Sequence, residues 1–90
     1  MTLADRIHSI AATPDYAEFA RLWRRFGAGH VVDVVRLSDL GTEVHRRTLR
    51  AAAGAQTDEL EDAVRTIMPE LDEYVRFVAR SLRPTPTVGV

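Results

Sequence analysis

The chain has 90 residues, a formal charge of -1 and a pI near 6.3. A chain this short makes one domain, and the balance of charge excludes a global attraction to nucleic acid or anionic lipid. All 12 basic residues are Arg and there is no Cys, which excludes a disulfide framework, a thiol nucleophile and a thiolate metal site.

Along the chain, Thr2 is placed to cap a short helix whose Leu3, Ile7, Ile10 and Ala11 share one face, ending near Thr13. Thr13-Pro14-Asp15 marks a second start, with a hydroxyl cap, proline at the first helical position and acids Asp15 and Glu18 near the positive end of the dipole. Tyr16, Phe19, Ala20, Trp23 and Phe26 form its apolar face. Arg21, Arg24 and Arg25 suit its far end, and Gly27 offers a left-handed stop.

Val31 to Leu37 carries four valines in five positions, which favours a short β-strand at residues 31–37 on propensity, although Val31, Val34 and Val35 also fit a helical face. A solitary strand would need a partner from this chain or from a copy. Ser38 is the expected cap of the third helix, with Leu40, Val44 and Ala51 inward and Gly54 beyond its end.

The last segment has the longest pattern. Leu60, Val64, Ile67, Leu71, Tyr74 and Val78 alternate four and three residues apart and Leu82 continues the stripe, so they lie on one side of a helix capped by Thr57 or Asp58, with Glu61 completing a capping box from Asp58. Pro69 interrupts it. Because the apolar phase survives the proline, one kinked helix is favoured over a new start at Pro69. Such a helix would run about 39 Å, longer than a small body covers alone, so this stripe is the expected dimer interface. Residues 58 to 73 hold seven acids and one Arg, while residues 74 to 83 hold three Arg and no acid. That asymmetry follows the helix dipole, and it also favours antiparallel over parallel pairing of two copies. Pro84 to Val90 reads as an extended, flexible tail.

No catalytic motif emerges. His8, His30 and His45 lack ligand spacing, so neither a metal site nor a cofactor is expected. Asp58, Glu59, Glu61, Asp62, Asp72 and Glu73 read as a solvated face rather than paired catalytic acids, and Gly27-Ala28-Gly29 lacks a phosphate or dinucleotide fingerprint. Arg21, Arg24 and Arg25 are candidate nucleic-acid contacts, and Trp23, Phe26 and His30 are candidate lining for a ligand pocket. No run approaches the ~18 apolar residues of a membrane span, and the start from Met1 to Arg6 lacks the apolar core of a signal peptide, so a soluble cytoplasmic protein without membrane contact is expected.

Val35-Arg36-Leu37-Ser38-Asp39-Leu40-Gly41, followed by an amphipathic helix, resembles the strand-to-helix junction of winged-helix transcription regulators of the multiple-antibiotic-resistance and phenolic-acid-regulator types. Arg21 to Gly29 followed by His30-Val31 is similar to the end of their recognition helix. Over residues 4 to 53 the resemblance implies that residues 14 to 26 enter the major groove, residues 30 to 37 form a short wing and the terminal helix dimerises.

The expectation is therefore a mainly α domain of four to five helices over residues 1–83, with the strand at 31–37 and a long kinked C-terminal helix. Its expected role is non-catalytic association, as a homodimer or as a regulatory or accessory subunit joined to a protein partner. DNA-binding transcription regulation is the alternative, and small-molecule binding the second.

Overall fold

Five helices account for nearly all of residues 1–82, the part of the chain that the computed structural model describes. They are α1 (Leu3–Ala11), α2 (Pro14–Gly27), α3 (Val34–Ala51), α4 (Thr57–Ile67) and α5 (Pro69–Leu82). The expected tail, the last residue of the 1–83 domain and the side chain of Leu82 lie outside the described residues.

The first two helices start as their sequences dictate. Thr2 and Asp5 form a reciprocal capping box, and the Thr13 hydroxyl accepts the Tyr16 N–H at 3.3 Å one residue before Pro14. The end of α2 differs from expectation. Gly27 is still helical, and the left-handed residue is Gly29 at φ +86°, where a side chain would be strained.

The largest correction concerns residues 31–37. Among the described residues there is no strand, and Val34 to Leu37 are the first turn of α3. The cap is Asp33 rather than Ser38: its carboxylate accepts the Arg36 N–H at 3.0 Å. Once the helix starts at Val34, Leu37, Leu40, Gly41, Val44 and Thr48 fall on one buried face. Arg36 also forms a bidentate pair with Glu18 of α2, at 3.0 and 2.9 Å, which fixes this first turn against its neighbour. A packed helical face and a side-chain cap together outweigh the modest strand preference of valine.

At the other end of α3, Ala51 gives its carbonyl to Arg6 at 3.2 Å. Gly54 then turns the chain at φ +88°. The α4 helix begins at Thr57, and the residue before it, Gln56, makes no side-chain cap bond, so neither Thr57 nor Asp58 serves as the cap.

In the C-terminal segment α4 ends at Ile67 and α5 begins at Pro69. Met68, with φ -128° and ψ 66°, lies between the end of α4 and Pro69 at the start of α5. Leaving helical geometry before proline relieves the clash with the pyrrolidine ring. Met68 is fully buried, so the break directs a long flexible side chain into the core.

That core joins Ile7 of α1, Tyr16 and Phe19 of α2, Leu37, Leu40 and Val44 of α3, and Leu71 and Tyr74 of α5. Ion pairs brace its edges. Arg47 of α3 meets Asp15 of α2 at 3.1 Å, and Glu70 of α5 accepts both the Tyr16 hydroxyl at 2.6 Å and Arg24 at 3.0 Å.

Candidate functional site

The apolar stripe divides into two populations. Val64, Leu71 and Tyr74 are buried within the subunit, whereas Leu60, Ile67 and Val78 are half-buried. Breaking the segment at Met68 lets α4 and α5 turn their apolar sides toward the same small core. Leu71, with no exposed surface, is out of a neighbour's reach in this conformation. Val78 and its exposed neighbour Phe77 are not.

Phe77 and Val78 line a groove of about 180 Å³ between α2, α3 and α5, together with Trp23, Phe26, Val34 and Tyr74. Its base is an aromatic cluster. The Trp23 ring lies 5.8 Å from Phe26, 5.6 Å from Tyr74 and 5.7 Å from Phe77, mostly edge to face. Helical spacing explains the assembly: Trp23 and Phe26 are three residues apart on α2, and Tyr74 and Phe77 three apart on α5. Val34 comes from the first turn of α3, which closes the groove because the helix begins four residues earlier than Ser38.

The groove does not bury its own rim. Val34 is 56% exposed and Phe77 40%, and next to Val34 in sequence Val35 is 69% exposed. Helical spacing groups Trp23 with Phe26 but leaves out Phe77, which falls outside the four-three stripe. Its signal was a large aromatic beside an apolar seam. His30 does not join Trp23 and Phe26: it is exposed in the turn after α2 and does not line the groove.

A second groove of about 250 Å³ lies between α3, α4 and α5. Its apolar walls include Leu49, Leu60, Val64 and Val75, and its polar members include His45, Glu61 and Asp72. Spacing alone does not assign His45 to a groove, because its neighbours there come from α4 and α5. Burial pushes the His45 imidazole below its ordinary value, so at neutral pH the ring is uncharged.

The three arginines of α2 occupy different surroundings. Arg24 is engaged by Glu70, while Arg21 and Arg25 are exposed and form no ion pair among the described residues. The acids Asp15 and Glu18 on the same helix are each paired to an arginine of α3. The acidic residues expected to form a solvated face are all exposed except the half-buried Asp72, which pairs with Arg76 at 3.1 Å. Among the described residues, no group of three or more His, Cys, Asp or Glu is arranged to hold a metal ion. None of the described helices is long and apolar enough to cross a membrane.

Comparison with family models, curated proteins and solved structures gives no match for this chain.

Proposed function

We propose that this chain is a non-catalytic association module, a regulatory or accessory subunit that pairs with a second copy of itself through the aromatic groove and the accessible end of the α5 stripe. The observation that carries the reading is the adjacency of a knob and a hole. Phe77 and Val34 stand out beside a groove of about 180 Å³, and a cavity of about 150 Å³ is enough to take a benzene ring. A surface bearing both shapes side by side is complementary to itself across a two-fold axis, as an isologous dimer requires. Interface cores are enriched in such aromatic side chains.

Magnitude sets a condition on this pairing. Phe77 is 40% exposed, so with about 200 Å² for a Phe side chain and about 25 cal/mol per Å², burying the rest contributes roughly 2 kcal/mol. Loss of translational and rotational freedom costs about 4 kcal/mol or more. Phe77 alone therefore does not hold two copies together; Val34, Val78 and the half-buried Trp23 and Phe26 must add to it over a total of about 1,000 Å². Running the two α5 helices antiparallel places the acid Glu73 of each copy toward the other's Arg80, which selects orientation more than it adds affinity.

A second reading, a DNA-binding regulator of winged-helix type, is favoured by one observation: Arg21 and Arg25 are exposed and unpaired among the described residues, while the nearby acids Asp15 and Glu18 are already neutralised by Arg47 and Arg36. Two phosphate contacts from each chain would give salt-sensitive binding that Arg21→Ala and Arg25→Ala weaken without altering the fold.

Light scattering at rising protein concentration, with and without random duplex DNA at low salt, tests both. The association reading expects twice the chain mass without DNA and no change on adding it. A monomer at every concentration overturns that reading, and an increase in mass only with DNA replaces it with the second.

A further inference from the structure

We infer that the groove between α3, α4 and α5 is a binding site for a small apolar amine, held by its hydrocarbon part against Leu49, Leu60 and Val75 and by its ammonium group at Glu61 and Asp72. The inference is independent of the pairing proposed above, which uses another face.

Size limits the ligand first. At about 250 Å³, the space exceeds the ~150 Å³ that accepts benzene, so it holds one ring with a short chain. Leu49 is half exposed at the rim and Leu60 and Val75 are half-buried. Walls of this kind gain from apolar surface and offer little to a sugar or an inorganic ion.

Charge limits it next. The residues around the groove include the acids Glu61 and Asp72 and no arginine. Glu61 has no ion pair among the described residues, because Arg65, one turn away, is engaged by Asp62. Asp72 uses Oδ2 for Arg76, and its Oδ1 makes no hydrogen bond among the described residues. The start of α4 at Thr57 also reaches the groove, and its free N–H groups alone would favour an anion. Asp58 and Glu59 in that first turn already meet this preference. His45, uncharged through burial, adds a hydrogen-bonding nitrogen and no repulsion toward a cation.

The test uses the full chain and three probes of one shape: 2-phenylethylamine, 2-phenylethanol and 3-phenylpropanoate. Each is titrated while the NMR signals of His45, Leu60 and Val75 are followed. The amine is expected to shift all three residues, with the alcohol several-fold weaker and the carboxylate weaker again. Glu61→Gln, an exposed position, should bring the amine toward the affinity of the alcohol. Leu60→Trp, which fills the groove, should abolish the response to every probe. No response to the amine, equal affinity for all three probes, or an undiminished response in either variant overturns the inference. So do shifts of these signals with protein concentration alone, which would mean that a second copy covers the groove.

Discussion

The hydroxyl end of the Tyr74 ring packs against Gly41, so close that a Cβ on Gly41 would stand 2.5 Å from the ring's Cζ. Here the backbone of α3 accepts α5 at a distance that only glycine permits. Tyr74 has no easy way aside, since it is buried, packs edge to face on Phe19 at 5.2 Å and sends its hydroxyl toward the Ser38 carbonyl at 3.4 Å. The same ring forms part of the aromatic groove, so this contact couples helix packing to the proposed interface.

Gly41→Ala is therefore expected to destabilise the fold, although alanine is the better helix former by about 1 kcal/mol. Overpacking a tight core costs about 1 to 3 kcal/mol and exceeds that gain. Thermal unfolding should show a net loss of about 1 kcal/mol, or a Tm lower by roughly 4 to 8 °C. A raised Tm would show that α3 and α5 can move apart freely.

The start of α3 offers a sharp comparison between two residues. Asp33→Ala removes the carboxylate that accepts the Arg36 N–H and should cost about 1 kcal/mol in denaturant unfolding. Ser38→Ala, one turn inside the helix, should change stability by less than about 0.5 kcal/mol. The reverse order would restore Ser38 as the cap and leave Val34 to Leu37 outside the helix.

Two groups tie stability to pH in separate windows. Burial pushes the Glu70 carboxyl up, but hydrogen bonds from Tyr16 and Arg24 outweigh it and hold the group below its ordinary value of 4.5. A carboxylate depressed in the folded state stabilises above its unfolded pKa, and that contribution is lost as pH falls through the lower folded value. Glu70→Gln should flatten the loss of stability below about pH 4.5. His45 is depressed by burial below 6.5, so the unfolded chain takes up its proton first and stability begins to fall on acidification near that value. His45→Gln should remove this earlier step alone. Denaturant melts on either side of both windows check the pair, and coincident curves for all three proteins would contradict it.

The starts of α1 and α2, the turn at Gly54 and the mainly α class were legible because capping and periodicity are local. Thr2, Thr13 and Gly54 do in the structure what their side chains, or lack of one, suggest. The strand preference of Val31 to Leu37 is also local, whereas what favours helix lies in Glu18, one helix away, and in the buried face that continues to Thr48. Pro69 announced an interruption, but whether a helix bends or stops there depends on what Met68 can reach. The α5 stripe was visible in the spacing of its residues; that Leu71 and Tyr74 would be consumed by the subunit's own core, leaving Phe77 and Val78 at the surface, depends on tertiary packing. For the same reason a charged substitution at Leu71 would test folding rather than pairing, since Leu71 is fully buried.

Sedimentation velocity of Phe77→Asp beside the unaltered chain tests the central claim most directly, because Phe77 is the partly exposed aromatic at the rim of the groove. The expected result is a dimer for the unaltered chain and a monomer with unchanged helical circular dichroism for the variant. A variant that sediments as the same dimer, or an unaltered chain that remains a monomer at high concentration, would contradict it.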